Sequence, residues 1–303
     1  MNSEKQVTWT GLLNLFVVYV VWGSTYLAIR VAVREGSGFP PFAMGAMRVL
    51  PAALILIFWS AMNRQRVKLT RREVVTLVLS GLLLWLGGNG LVNWSEQRAD
   101  SSVAALTIAA TPIWVAVIES IIDRRLPSFR FIGALLIGFS GIVVLSWPVL
   151  RSGVRADILS IIGLLLAGLS WGSGTILQSR RQVGVKTTVS AGYQQLFGGI
   201  GFVAIFFLSN EPMPSPVSEA WWAWGYLVVF GSLFSFTAYV RAVELLPTSV
   251  VMTYPYVNPV IAVLLGWVIL DENITIWTIG GAVLVLLGVA GIFNERRKNG
   301  AKA

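Results

Sequence analysis

The sequence predicts an all-α integral membrane protein, and three observations carry that expectation. Of 303 residues, 55% are hydrophobic and only 12% charged, about half the charged share of a soluble domain. Mean hydropathy is +0.73. The charged residues sit in short gaps between long apolar runs. A run of about 18 or more apolar residues is long enough to cross a hydrocarbon core of about 30 Å as a helix.

Ten such runs can be drawn, with ends uncertain by a few residues. In the first half they are 11–29, 41–62, 74–93, 101–122 and 131–150; in the second, 158–178, 187–208, 220–240, 248–270 and 274–293. The first run is not expected to be a cleaved signal peptide, because it lacks a small-residue cleavage site and continues through Arg30 toward the next span. No connection is long enough to hold a soluble domain, so sequential helices are antiparallel neighbours in a bundle.

Orientation follows from Lys and Arg, which accumulate in cytoplasmic loops. With the N-terminus inside, seventeen of the 23 basic residues fall inside: Lys5, Arg64, Arg66, Lys68, Arg71, Arg72, Arg124, Arg125, Arg130, Arg180, Arg181, Lys186, Arg241, Arg296, Arg297, Lys298 and Lys302. Five fall outside (Arg30, Arg34, Arg98, Arg151 and Arg155), and Arg48 lies within a span. Both termini are therefore expected in the cytoplasm. The net charge of +9 belongs to these loops, so no nucleic-acid partner is expected.

Cys and His are both absent, which excludes thiol nucleophiles, His-based triads and zinc or iron–sulfur ligation by those residues. Without a nucleophile or an acid–base pair at depth, an enzyme is not expected. No metal and no cofactor are implied.

The chain also repeats itself. At an offset of 147, Ser101 meets Thr248, Ser102 meets Ser249, Pro112 meets Pro259, Ile132-Gly133 meets Ile279-Gly280 and Gly141 meets Gly288. Gly45 meets Gly192 at the same spacing, and Trp22-Gly23-Ser24 matches Trp171-Gly172-Ser173 at 149. The expected units are residues 1–150 and 151–303, five spans each. Because five is odd, the second unit enters the membrane from the opposite face, an arrangement common in secondary transporters, whose substrates bind near mid-membrane between the repeats. The loops fit: Asp123-Arg124-Arg125 is basic, whereas its counterpart Leu270-Asp271-Glu272 is acidic.

These segments resemble the EamA domain of the drug/metabolite transporter superfamily. The resemblance rests on Thr107-Ile108-Ala109-Ala110-Thr111-Pro112 through Gly141 and on Pro247-Thr248-Ser249 through Gly291, with Trp-Gly-Ser in the first span of each half. It also includes Arg48 in the second span and Glu272 after the ninth; the first half departs from the family pattern in having Arg125 there. The likeness covers nearly the whole chain and implies a ten-helix exporter of amino acids or other small metabolites from bacteria. Aromatic-amino-acid exporters are the nearest resemblance.

Pro112 and Pro259 are the expected kinks. A proline within a helix removes one backbone hydrogen bond, and in lipid the freed group needs protein or cavity water, so these helices should face the interior. Around them lie Thr107, Thr111 and Trp114 in the fourth span, and Tyr254, Tyr256 and Asn258 in the ninth. The same reasoning adds Trp22, Ser24 and Tyr26 from the first span, Trp85, Asn89 and Asn93 from the third, and Trp171 and Ser173 from the sixth. Together they are expected to line a substrate cavity, although each aromatic could equally be packing. Arg48 reads first as a cation capping carbonyls near Pro51 and second as a contact for a substrate carboxylate. Glu119 reads as an interfacial carboxylate.

The expected function is export of large, aromatic or hydrophobic amino acids across the bacterial inner membrane by alternating access, with small metabolites and membrane lipid as the only partners. A drug, sugar or nucleoside exporter of the same fold is the alternative, and a channel a more distant one. With no carboxylate near mid-membrane, facilitated passage is preferred to proton exchange.

Overall fold

The computed structural model describes residues 6–153, 156–270 and 274–300. Lys5, Arg155, Asp271, Glu272 and Lys302, used in the charge and repeat readings, lie outside the described residues. Among those described there is no strand, and ten helices are long and apolar enough to cross a membrane. They are α1 (Trp9–Val33), α2 (Pro41–Met62), α3 (Arg71–Ser95), α4 (Ser101–Asp123), α5 (Phe129–Ser152), α6 (Ile158–Arg180), α7 (Thr187–Leu208), α8 (Ser218–Leu245), α9 (Thr248–Leu265) and α10 (Ile276–Glu295).

Local sequence explains where these helices begin. Side chains of Thr8, Ser128 and Asp157 accept from backbone N–H groups in the first turns of α1, α5 and α6, supplying acceptors that a helix start otherwise lacks. Pro41 opens α2, where a proline's missing donor costs nothing. At α3, Thr70 and Glu73 form a reciprocal capping box. Glu73 also accepts from Arg66 and from the Gly184 N–H at 3.0 Å, tying the loop before α3 to the loop before α7.

The pairing of helices is regular. α2 packs on α7 and α5 on α10, whereas α1 packs on α8 and α9, and α6 on α3 and α4. Small residues permit the closest approaches. A Cβ added to Gly23 would come within 3.0 Å of the Asn258 carbonyl on α9, and one added to Gly172 would meet Val115 of α4 at 2.9 Å. At the α5–α10 contact, a Cβ on Gly141 would lie 2.6 Å from the Val285 nitrogen, and one on Gly288 would lie 2.5 Å from that of Gly138. Gly23 and Gly172, and Gly141 and Gly288, which match by offset in the sequence, thus each sit at a close helix contact, whereas the matched Gly133 and Gly280 do not.

Four helices are irregular. α3 winds as a π-helix over Leu82–Gly90 and α8 over Leu227–Ser235. α4 is interrupted after Ile108 and resumes at Thr111; α9 is interrupted after Val251 and resumes at Tyr254. Pro112 opens the second piece of α4, and the Thr111 hydroxyl donates at 2.6 Å to the Ile108 carbonyl, the acceptor that a proline at 112 leaves empty. In α9 the break falls before Pro255, one turn ahead of the expected Pro259, which lies within the continuous helical piece. Both Pro112 and Pro259 are buried in the protein.

Candidate functional site

The irregular segments meet in the centre of the bundle. Trp22 of α1 and Trp171 of α6 cross edge to face with ring centroids 5.4 Å apart. Tyr254 stands 5.1 Å from Trp22, and Tyr239 of α8 lies against Trp22 at 5.0 Å and Trp171 at 5.5 Å. Trp85 and Phe236, 4.7 Å apart, extend the cluster from α3 and α8. Edge-to-face contacts let the positive ring edge meet the negative face. The indole N–H groups are held as well: Trp22 donates to the Gly231 carbonyl at 3.2 Å and Trp171 to the Tyr239 hydroxyl at 3.1 Å. Thr175 shares the Tyr239 hydroxyl through a short hydrogen bond.

Beside the rings opens a cavity of about 60 Å³. α1 contributes Trp22, Thr25, Tyr26 and Ile29; α2, Arg48; α3, Trp85, Gly88, Asn89 and Val92; α4, Ile108 and Thr111. Ala167 and Trp171 come from α6, Tyr254 and Asn258 from α9. The π segment of α3 carries Trp85, Gly88 and Asn89 into this wall, and that of α8 carries Gly231 and Ser232 to its edge. Such wide turns free backbone and re-aim side chains, often at functional sites.

Arg48 is 2% exposed. Its Nε donates to Ser232 Oγ at 2.9 Å, its Nη1 to Asn89 Oδ1 at 3.3 Å, and the guanidinium lies 5.3 Å from the Trp85 ring centroid. Among the described residues no carboxylate lies within ion-pair distance of it. The hydrogen bonds found for it go to side chains and not to carbonyls around Pro51, so the capping role expected first is not what the geometry shows. A buried cation of this kind favours an anionic partner.

Eight of the residues expected at the cavity border it, Trp22, Tyr26, Trp85, Asn89, Thr111, Trp171, Tyr254 and Asn258, and so does Arg48, the second reading of which was a substrate contact. Six others are elsewhere. Ser24 bonds to the Val21 carbonyl and to the Tyr226 hydroxyl at 2.6 Å. Asn93 donates at 3.3 Å to the Pro41 carbonyl, joining α3 to the start of α2. Thr107 and Ser173 bond back to carbonyls of their own helices, Val103 and Leu169. Tyr256 is fully buried against α5, its hydroxyl donating to the Leu135 carbonyl at 3.1 Å. Trp114 lies against the α6 backbone near Gly168. Thr25, Ile29, Gly88, Val92, Ile108 and Ala167 are lining residues that the sequence reading did not single out, as is Tyr239 behind them. A helical stripe held the signal for several: 22, 25, 26 and 29 share one face of α1.

Comparison with known proteins fits this architecture. Residues 9–147 and 158–294 each match the EamA-like transporter family. The chain belongs to that family. It is 30% identical over 254 residues to the inner membrane transporter YedA of Escherichia coli K12, covering 83% of this chain and 80% of that one. It is 23% identical to the transporter YoaV of Bacillus subtilis, over 92% and 94% of the two chains. One solved structure superposes with a TM-score of 0.75 at 18% identity, covering 95% of this chain and 98% of its own, a likeness of fold. As an EamA-like transporter the chain is a membrane protein that moves a small molecule, and its central cavity lies among helices from both matched segments.

Proposed function

We propose that this EamA-like transporter exports amino acids with large apolar or aromatic side chains across the bacterial inner membrane by alternating access. The observation that carries the proposal is Arg48: a buried guanidinium with neutral partners, facing a cavity walled by Trp22, Trp85, Trp171 and Tyr254. The guanidinium suits the substrate carboxylate, through charge-assisted hydrogen bonds. The carbonyls and hydroxyls around Thr25, Thr111 and Asn258 suit its ammonium, and the rings suit its side chain. A cationic drug would meet an unneutralised positive charge, which weighs against the alternative cargo.

Units 1–150 and 151–303 act as two halves of opposite orientation, both termini in the cytoplasm. Support comes from the two family matches, the reciprocal helix pairing, the π-helix in the third helix of each unit, and the positive-inside bias. The similarity to YedA supports an inner-membrane location. No catalytic role enters the proposal.

The test is reconstitution. Liposomes loaded with labelled tryptophan, phenylalanine, methionine or alanine should release the larger substrates faster than empty-vesicle controls, with saturation and mutual competition. Equal leakage across the whole panel would end the proposal.

A further inference from the structure

The turn that follows α3 contains a carboxyl group that span-by-span hydropathy does not reveal. Glu96 is one residue past the end of α3 and one turn beyond Val92, which lines the cavity; its N–H still bonds to the Val92 carbonyl at 2.9 Å. It is 0% exposed, and neither side-chain oxygen has a hydrogen-bond donor.

The charges around it are engaged with one another. From α1, Arg30 donates to the backbone carbonyls of Glu96 and Gln97, not to the Glu96 carboxyl, and its ion pair at 3.7 Å is with Asp100 at the start of α4. From the same turn, Arg98 pairs at 3.5 Å with Asp157, which caps α6. A further titratable neighbour is Tyr26 of α1, itself on the cavity wall. A carboxylate buried without a donor or a paired cation is strongly disfavoured, so the group takes up a proton instead.

We propose that Glu96 is a proton-binding site that couples export to proton entry: its carboxyl is protonated while α1, α3 and α4 close over it, and it ionises when the cavity opens to water and substrate. The proton is taken from the outer side and released through the cavity to the cytoplasm as an amino acid leaves in exchange. Burial pushes the carboxyl well above the usual carboxylate range, and the Arg30 charge opposes this only in part. Once water enters, the burial penalty falls while Arg30 remains, so opening favours release. This coupling rests on the transporter reading above and replaces the uncoupled passage expected from the spans alone.

Two measurements on the full-length protein test it. In infrared spectra of the purified protein at neutral pH, wild type should show a protonated-carboxyl band that Glu96→Gln lacks and Glu96→Asp retains at a shifted position. In tryptophan-loaded liposomes, a pH gradient of about one unit, acid on the side opposite the cytoplasmic face, should support up to about a tenfold accumulation of substrate on that acid side. Glu96→Gln should keep tryptophan exchange yet lose the response to the gradient; Glu96→Asp should restore part of it. The absence of a protonated carboxyl assignable to Glu96, or gradient-driven accumulation that survives in Glu96→Gln, would overturn the proposal. Tryptophan flux indifferent to the gradient in wild type would overturn the coupling while leaving amino-acid export intact. No flux at all would refute export, and the infrared band alone would then decide the proton site.

Discussion

Trp22 and Trp171, which occupy corresponding places in the two halves of the sequence, meet edge to face at 5.4 Å in the centre of the bundle. Both indoles are anchored to α8, one through the Gly231 carbonyl and one through the Tyr239 hydroxyl. A duplicated Trp-Gly-Ser motif thus produces one contact, the tryptophan closing the middle of the molecule while the glycine lets each helix approach a neighbour.

Trp171→Phe and Tyr239→Phe should each destabilise the protein by at least about 1 kcal/mol, the usual net worth of one buried hydrogen bond, the first also losing ring packing and the second its bond to Thr175. Because both remove the same interaction, the double variant should lose less than the sum of the two. Denaturant unfolding of the purified protein in detergent checks this; strict additivity would show that the Trp171–Tyr239 bond contributes nothing.

Arg48→Gln should weaken amino-acid transport about tenfold or more, since a charge-assisted hydrogen bond contributes about 1.5–3 kcal/mol. Flux of an amino-acid amide, which lacks the carboxylate, should change far less. Equal losses for acid and amide would remove Arg48 from carboxylate recognition.

Gly288→Ala should lower thermal stability, because the new Cβ would lie 2.5 Å from backbone of α5 and must push α10 away. Gly280→Ala makes the contrast: its Cβ would meet only Val144, at 3.9 Å, and alanine favours helix over glycine by about 1 kcal/mol. A melting scan of both variants should show a drop for the first and little change or a rise for the second.

Glu211, in the loop before α8, accepts the N–H groups of Phe42 and Ala43 at the start of α2 at 3.2 and 2.9 Å. Partial burial raises its carboxyl above the ordinary value, and the two backbone N–H groups offset this only in part. A folded-state value above the unfolded one means that the stabilisation is complete below the ordinary carboxylate value and is lost as pH rises through the folded value. Wild type should therefore hold its largest stability advantage over Glu211→Gln at acidic pH, shrinking toward neutrality. An advantage that grows with pH would reverse the assignment.

The ten spans were legible in the sequence because lipid demands a continuous apolar stretch, and the ends of the observed helices lie within about a turn of the expected ones. The internal breaks were less legible. Pro259 looked like the kink by its match with Pro112, yet Pro255 opens the second piece of α9, since a proline is tolerated at a helix start and either position could have served. The π segments left no mark in hydropathy. For the cavity, residue type identified Trp22, Asn89 and Tyr254, but type does not report direction: Tyr256, two residues from Tyr254, turns to α5. Glu96 was missed because a charge beside a span reads as solvated, and only the fold shows it covered.

The most direct test of the central cavity as the substrate path uses the absence of cysteine from the chain. Ile108→Cys places one thiol in the cavity wall with no background reaction. A membrane-impermeant thiol reagent should label it from either face of oriented vesicles, and tryptophan should slow that labelling in proportion to its occupancy. A thiol that reacts from neither face, or reacts at a rate no amino acid alters while transport continues, would place the substrate path elsewhere.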